Sequence, residues 1–254
     1  MAIQRVVSKW SKTSVLLADD SIAAHIPLTR KLSHDSLSAM LNQHGMVYVK
    51  PDSGTFGIGV IRVEAIGSSS YRYQEGTRVR TFESYDALYQ SLRQLTGKRT
   101  YLVQRGIHLL RHRKRRFDLR VMVQKSPRGQ WETTGIIGRL AHPGKIVTNY
   151  HSGGTPMAFG ELMATHLPQA EHRSYAARLE KLGVQVARRL QSSYPGLKEI
   201  GIDVALDTQL RPWILEVNTK PDPYIFRKLK DRSVFRKVYR YGLAYGRFRR
   251  KQTS

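Results

Sequence analysis

The residues whose chemistry stands out lie near the end of the chain, on a segment with the pattern of a β-strand. Side chains of a strand alternate between its faces, so Pro212–Asn218 is predicted to place Ile214, Glu216 and Asn218 on one face. The other face then carries the apolar side chains Trp213, Leu215 and Val217. Burying an unpaired carboxylate is costly, so this strand predicts a partner for Glu216.

A preceding strand supplies a second carboxylate. A hairpin whose turn is centred after Gln209 places Asp203 directly across from Glu216. Together with the Asn218 amide, these two carboxylates make a set of oxygen donors that suits Mg²⁺. The alternative is that both carboxylates only form ion pairs with Arg or Lys, and the spacing alone leaves that open.

A glycine-rich turn follows a strand that ends in Lys50 and Pro51. The turn contains three glycines and two hydroxyl side chains, namely Gly54, Gly57, Gly59, Ser53 and Thr55. Glycines let backbone N–H groups approach phosphate oxygens, and Lys50 supplies countercharge. The turn lacks the Gly-Lys-Ser/Thr ending of a P-loop and the glycine order of a dinucleotide-binding motif. Taken alone, the turn favours a glycine-rich hairpin that binds nothing, with a phosphate-binding loop as the alternative.

Arg120 is the third candidate. It lies on the opposite face of its strand from Leu119 and Val121. A guanidinium on a sheet face can bind a phosphate through two parallel hydrogen bonds. The alternative is an ion pair with Asp118 or with another acid.

Composition narrows the class of protein. The 254 residues carry a formal net charge of +24 and include no cysteine, which excludes disulfide scaffolds, Cys-ligated zinc, iron–sulfur clusters and thiol nucleophiles. No segment reaches the roughly 20 apolar residues of a membrane helix, and the N-terminal apolar patch is too short for a signal peptide. The sequence therefore predicts a cytoplasmic protein without membrane insertion.

Most of the positive charge is concentrated in two stretches. Residues 98–128 and 227–251 each contain eleven Lys or Arg and one acid, which indicates a polyanionic partner. His108 and His112, spaced for one face of a helix, lie in the first stretch, and solvated surface residues are favoured there over metal ligands. In the second stretch, aromatic residues alternate with Lys and Arg. This pattern favours a helix that packs its aromatic side chains on the body of the protein.

Helices and strands are interspersed along the chain. Helices are predicted after the caps Ser33 and Ser84 and over residues 170–192. Strands are predicted between them, including 117–124, 131–140 and 145–149, joined by short turns that favour antiparallel pairing. The fold class is therefore α+β.

The order of these motifs resembles the ATP-grasp superfamily, and within it the YheC/YheD-type proteins of the endospore coat. The resemblance runs from about Pro27 to Tyr241. It rests on Lys50-Pro51 with the glycine-rich turn, on 101–107, 117–120, Asn149 and Gly153-Gly154, and above all on Gly201-Ile202-Asp203 with Glu216-Val217-Asn218. It implies an ATP-grasp fold of two α+β lobes with ATP between them. The implied parts are a lead-in segment over 1–45, a small lobe over 46–106, a large lobe over 107–221 and a basic helical segment over 222–254.

The resemblance also implies roles for single residues. Lys50 and Arg120 would bind phosphate and act catalytically, and the loop 53–59 would close over the phosphates. The hinge against adenine would be Gln104, Arg105, Gly106 and Ile107. One or two Mg²⁺ ions would be held by Asp203, Glu216 and Asn218. Arg105 and Gly106 occupy the stretch where many members place a carboxylate for the ribose.

The implied reaction is an ATP-dependent ligation through an acylphosphate. Its carboxylate substrate is unidentified, an acidic peptide or polymer being one candidate, and the roughly 45 residues before Lys50 leave little room for a separate substrate domain. The resemblance adds spore association to the predicted cytoplasmic location. The alternative function is a noncatalytic binding module for nucleic acid or an anionic spore-layer polymer. Because residues 98–128 are expected to run through the nucleotide cleft, only 227–251 is left for that polyanion.

Overall fold

The computed structural model of the chain describes residues 2–67 and 69–248, which form two antiparallel sheets with helices packed on them. The predicted α+β class with antiparallel sheets is therefore confirmed. Each sheet has six strands and a hydrophobic core of its own. None of the helices in these two ranges is both long and apolar enough to cross a lipid bilayer.

The N-terminal segment packs on the second of the two sheets. It contains two helices, α1 (Lys9–Leu17) and α2 (Asp20–Ala23). The Ser8 hydroxyl caps α1 by accepting the Ser11 N–H. Leu16 and Ile22 are buried in the same core as the longest helix of the chain. This packing fixes the segment and brings Lys9 to the space between the sheets.

The first sheet packs against two helices. Its strands are β1 (Thr29–Lys31), β2 (Met46–Pro51), β3 (Ile61–Ala65), β4 (Tyr71–Glu75), β5 (Arg78–Phe82) and β6 (Tyr101–Arg105), and its helices are α3 (His34–His44) and α4 (Tyr85–Thr96). Ser33 caps α3, Gly45 ends it in the left-handed conformation, and Ser84 caps α4, as the sequence predicts. The strand order is β1-β6-β2-β3-β4-β5, so Lys50 and Gln104 lie on neighbouring inner strands.

The second sheet contains the predicted carboxylate hairpin. Its strands are β7 (Arg111–His112), β8 (Arg115–Lys125), β9 (Trp131–Leu140), β10 (Thr155–Met157), β11 (Glu199–Leu206) and β12 (Pro212–Asn218), and its helices are α5 (Phe159–Met163), α6 (His172–Ser193) and α7 (Arg232–Ala244). The order is β10-β9-β8-β11-β12, and β7 pairs only with the start of β8. The stripe of α6 packs on one face, while Val238 of α7 and Phe226 pack on the other.

Two segments differ from the predicted structure. Residues 145–149, predicted as a strand, form a loop that contacts the glycine-rich turn. Residues 111–116 form the hairpin β7–β8, whose two turn residues, Arg113 and Lys114, have φ angles of 47° and 64°. Left-handed backbone costs an L-residue roughly 1–2 kcal/mol, and Asn-Gly is the favoured pair in such turns. The helical spacing of His108 and His112 thus does not apply, because His112 lies on a strand.

Candidate active site

A cleft between the two sheets brings together residues from both lobes. It contains two adjoining cavities of about 100 and 110 Å³. The first, which we call the loop cavity, is lined by Gly54, Thr55 and Gly57 of the glycine-rich turn. The second, the hinge cavity, is lined by Gln104, Arg105 and Ile107. Both cavities are lined in addition by Lys50, Val60, Arg139, Asn149 and Glu216.

The hinge cavity has mostly apolar walls. They are formed by Tyr48, Val60, Ile107, Leu109, Ile146 and Leu215. Gln104 also lines the cavity, where its amide donates to Thr29 Oγ1 at 2.9 Å and its Oε1 accepts from Lys50. Charged side chains, including Asp118, Arg139 and Asp203, also line this cavity, so an apolar surface and hydrogen-bonding groups are both present in it, as in small-molecule sites.

Gly106 and Ser53, both predicted to contact nucleotide, are not among the residues that line the two cavities. Gly106 donates its N–H to the Met46 carbonyl, and a Cβ built on it would lie 1.8 Å from the Met46 sulfur. The glycine is therefore required for the close approach of two backbones next to the cavity.

Lys50 is the cation shared by the two cavities. Its side chain is 8% exposed, and Nζ donates to Gln104 Oε1 and to the Leu215 carbonyl, each at 2.9 Å. Burial lowers the pKa of Lys50 to about 8, because the charged form loses its hydration. The carboxylate of Glu216 opposes that effect. Lys50 thus stays charged at neutral pH in a position where phosphate oxygens would replace lost water.

The predicted register of the hairpin is confirmed, since Asp203 pairs with Glu216. The predicted alternation of faces is wrong on one side of that pair. The register shifts between Asp203 and Val204, which pairs with Ile214, so β12 contains an extra residue at Leu215. Ile214 consequently packs in the core with Val217, on the face away from Glu216. The same bulge turns the Leu215 carbonyl toward Lys50.

A network of four buried charges forms the floor of the cleft. Arg120 Nε donates to Asp203 Oδ1 at 2.6 Å, and Arg139 Nη2 lies 3.0 Å from Asp203 Oδ2. Arg139 Nε also donates to Asp118 at 2.9 Å. Arg120 therefore has the ion pair that the sequence left as an alternative, with Asp203 rather than with Asp118.

The network fixes the charge of its members. Burial alone would raise the pKa of Asp203, but the Arg120 and Arg139 guanidiniums outweigh burial and hold that pKa below its ordinary value. Burial opposes the charge of Arg139 as well, and its two carboxylate partners nevertheless raise its pKa. Asp203 and Arg139 are therefore ionised across the physiological pH range.

The oxygen donors predicted for Mg²⁺ are partly engaged. Glu216 has one ion-pair contact, at 3.6 Å to Lys9, and both Glu216 and Asn218 line the loop cavity. Asp203 by contrast is held by two arginines. Among the described residues, no group of three or more His, Asp or Glu side chains could hold a metal ion. The available set, one carboxylate and one amide, has the hard oxygen donors that Mg²⁺ uses together with water and phosphate.

The glycine-rich turn contacts the second lobe. Gly54, Phe56, Gly57 and Gly59 all have positive φ, which gives this stretch its compact path. The Phe56 carbonyl accepts a hydrogen bond from Ser152 at 2.9 Å, and the Phe56 ring lies 4.2 Å from that of His151. The turn therefore lines the loop cavity and contacts the loop that contains His151 and Ser152.

Lys9 and Arg139 are among the residues of the site that were not predicted. Lys9 donates to the Gly54 carbonyl at 3.0 Å and is nearly buried, but no local pattern indicates it, since only the path of the chain brings it to the cleft. Arg139 had a signal, because it is a lone arginine at the end of the apolar strand β9. A buried arginine on such a strand requires an acid from elsewhere in the fold.

The expectation that residues 98–128 as a whole serve the cleft is wrong. Arg105 and Arg120 line the cavities, but the chain leaves the cleft after Leu109 and returns only within β8. In between, Arg111 and Arg116 line a groove outside the cleft. In the second stretch, α7 packs on the sheet as predicted, and residues 249–251 lie outside the described part of the chain.

Known proteins share both the sequence pattern and the fold. The family described as "YheC/D like ATP-grasp" matches residues 2–248. The endospore coat-associated protein YheD of Bacillus subtilis (strain 168) is 23% identical over 225 residues, which are 86% of this chain and 49% of YheD. YheC of the same organism is 23% identical over 218 residues, or 84% of this chain and 59% of YheC. The chain thus spans only about half the length of these relatives.

Solved structures with the same fold include two synthetases. N5-carboxyaminoimidazole ribonucleotide synthetase from Thermotoga maritima has a TM-score of 0.51 and 13% identity, covering 93% of this chain and 48% of that one. The ADP complex of purK, an enzyme of the same name, has a TM-score of 0.55 and 10% identity, with coverages of 93% and 51%. At these identities the likeness establishes the ATP-grasp fold and nothing finer. Since the family match extends over almost the whole chain, this protein belongs to the YheC/D-like ATP-grasp family.

Proposed function

We propose that this protein is an ATP- and Mg²⁺-dependent ligase that joins a carboxylate to an amine or a related nucleophile. The observation that carries the proposal is the pairing of the two cavities. The surface of the hinge cavity is mostly apolar, whereas Lys9 and Arg120 line only the adjoining loop cavity, and Lys50 and Arg139 lie where the two cavities meet. The base and the triphosphate of one nucleotide need these two environments side by side. Membership of an ATP-grasp family supports the same assignment.

In this proposal the lobes over 46–106 and 107–221 hold ATP between them. Lys50 and Arg120 bind phosphate oxygens, and the N–H groups of the glycine-rich turn approach them from above. Arg120 and Arg139 are already desolvated, so their interaction with phosphate is strong. Gln104, Arg105 and Ile107 contact the base from the edge of the hinge cavity.

The reaction has two displacement steps. A substrate carboxylate oxygen attacks the γ-phosphorus, the bond to the β–γ bridging oxygen breaks, and ADP leaves. The nucleophile then attacks the acyl carbon, the carbon–oxygen bond to phosphate breaks, inorganic phosphate leaves, and the nucleophile gives up a proton. Protein groups contribute positioning and charge neutralisation in both steps, so no nucleophilic side chain is needed.

The described oxygen donors fit Mg²⁺. Glu216 and Asn218 would hold the ion, and Asp203 would join them only by releasing an arginine to phosphate. When bound, Mg²⁺ neutralises charge on the phosphates. Lys9, which contacts Glu216 in this structure, would bind the phosphates instead of Glu216.

The relatives' names associate them with the endospore coat, and we extend that association to this chain. An acidic peptide or polymer is the proposed carboxylate substrate. A noncatalytic polyanion-binding module on the same fold is the second candidate, favoured by the arginines that lie outside the cleft.

The proposal is tested by the thermal shift that Mg·ATP produces and by ADP release. A ligand at 100 times its Kd stabilises a protein by about 2.7 kcal/mol, so the wild type is expected to show a clear increase in Tm. Glu216→Gln keeps the shape of the side chain and is expected to lose most of the Mg²⁺-dependent part of that increase. Glu180→Gln on the exposed face of α6 is the matched control and keeps it.

ADP release is then measured with panels of amino acids and acidic peptides as substrates. Release that depends on a carboxylate and is lost in Glu216→Gln supports the ligase. The absence of any shift at millimolar Mg·ATP, or an unchanged shift in Glu216→Gln, would contradict nucleotide binding at this site. A shift without ADP release under any condition favours the noncatalytic module.

A further inference from the structure

Outside the cleft, the hairpin β7–β8 and the loops beside it line a groove of uniform positive charge. This basic groove consists of two hollows of about 370 and 280 Å³ that share Arg62, Arg111 and Arg116. Its other basic and histidine side chains are Lys114, Arg115, Lys145, His108, His142 and His166. Among the residues described, no Asp or Glu lines either hollow.

Three of these cations have no acidic partner in the part of the chain that the structure describes. Arg111, Lys114 and Arg116 form no ion pair within residues 2–67 and 69–248. Arg62 pairs with Glu64, but its Nε is buried without a hydrogen-bond partner. A buried donor without an acceptor is uncommon in folded proteins, so Glu64 satisfies the Arg62 guanidinium only in part.

The turn of the hairpin keeps its charges at the expense of backbone strain. Arg113 and Lys114 both adopt the left-handed conformation, where Asn and Gly are the relaxed choices. Strained residues persist where the surrounding structure or a function requires them. Here the strain presents two long cationic side chains beside the groove.

We propose that the basic groove binds a carboxylate-rich segment of polypeptide. Guanidinium groups match carboxylates with two parallel hydrogen bonds, and four of the lining cations are arginines. The outer hollow, around Lys114 and Lys145, has no Phe, Tyr or Trp among its lining residues, so it offers no surface on which the bases of a single strand could stack. A flexible chain of carboxylates satisfies the cations without such a surface.

The groove is adjacent to the nucleotide site but distinct from it. Tyr48, Ile107 and Leu109 line both the inner hollow and the hinge cavity. A polypeptide in the groove would therefore lie beside the base end of the cleft, and its binding requires no nucleotide. The inference goes beyond the proposed ligase reaction and can be tested without turnover.

The test measures binding of a fluorescent oligoglutamate peptide to the full chain by anisotropy, at low salt and without nucleotide. The triple variant Arg111→Gln, Lys114→Gln, Arg116→Gln is expected to weaken binding about tenfold or more, since each exposed pair contributes modestly and the effects add. The control variant Arg173→Gln, Lys181→Gln, Arg188→Gln removes the same charge from α6 and is expected to bind like the wild type.

A second variant separates binding from folding. Arg113→Asn with Lys114→Gly removes two cations and gives the turn its relaxed pair of residues, so Tm is expected to stay equal or rise while oligoglutamate binding weakens. Equal binding by the triple variant and its α6 control overturns the proposal, as does absence of binding by the wild type. Tighter binding of a single-stranded or duplex oligonucleotide of matched charge would assign the groove to nucleic acid instead. The Mg·ATP shift is expected to survive in every groove variant, so the two proposals fail separately.

Discussion

Two arginines of the cleft are buried and paired with carboxylates, whereas two arginines of the basic groove are more exposed and unpaired in the part of the chain that the structure describes. In the cleft, Arg120 and Arg139 are 7% and 3% exposed, and each contacts at least one carboxylate. In the groove, Arg111 is exposed and Arg116 half-buried, and neither forms an ion pair among the described residues. Arg116 and Arg120 lie four residues apart on β8, so the same strand supplies both kinds.

The difference follows from the cost of desolvation. A buried guanidinium requires a partner, since removing that partner leaves an uncompensated charge, whereas an exposed one remains hydrated. The paired arginines therefore hold the shape of the cleft and can exchange a carboxylate only for a stronger anion such as phosphate. The unpaired arginines hold nothing in place and are available to an external ligand.

The largest difference between the two regions is expected when Arg139 is replaced. Arg139→Met leaves Asp118 and Asp203 buried with fewer cations, and we expect the free energy of unfolding to fall by about 3–5 kcal/mol. Arg111→Met is the same change in the basic groove and should alter it by no more than about 0.5 kcal/mol. Urea denaturation measures both values. Similar losses in the two variants would contradict the assignment of structural charge to the cleft alone.

The sequence predicted features that depend on local pattern. The caps Ser33 and Ser84 and the pairing of Asp203 with Glu216 needed only residue types and spacing. These features follow from hydrogen bonds and alternation within a short stretch, so no knowledge of distant contacts was required.

The features that escaped prediction depend on distant parts of the chain. The bulge at Leu215 displaces a backbone carbonyl, and that carbonyl accepts a hydrogen bond from Lys50, 165 residues away. Arg139 could be recognised as buried but not assigned to two acids on different strands. Lys9 enters the cleft only because α1 packs against α6. A positive charge in sequence thus indicates an anion without telling whether the protein supplies it.

Lys50 offers a smaller test of the same principle, because it is charged and buried with neutral hydrogen-bond partners. Lys50→Met is expected to raise the free energy of unfolding at pH 7 by about 1–3 kcal/mol, since the desolvated charge disappears. It is also expected to abolish the Mg·ATP shift. Lys31→Met on the exposed edge strand β1 is the control and should change neither value.

The free energy of unfolding is expected to depend on pH because two lysines are buried. Burial lowers the pKa of both Lys50 and Lys12 from 10.5 to about 8. Between pH 8 and 10.5 the unfolded chain therefore binds more protons than the folded one, and stability rises with pH over that window. Lys50→Met is expected to flatten that rise, measured by denaturation at successive pH values. Identical slopes in variant and wild type would contradict the burial of a charged Lys50.

The smallest effect is expected when a glycine in a turn of the cleft is replaced, with a glycine in a turn of the outer surface as the comparison. Gly57 and Gly129 have φ angles of 73° and 76°, so alanine adds similar backbone strain at each, about 1 kcal/mol. A Cβ on Gly57 would lie 2.9 Å from Asn149 Oδ1, whereas one on Gly129 meets nothing within 4 Å. Gly57→Ala should therefore also displace the turn from the second lobe and weaken ATP binding by about threefold to tenfold. Calorimetric titration with Mg·ATP measures this, and equal affinities in the two variants would show that contact with Asn149 does not matter for holding the nucleotide.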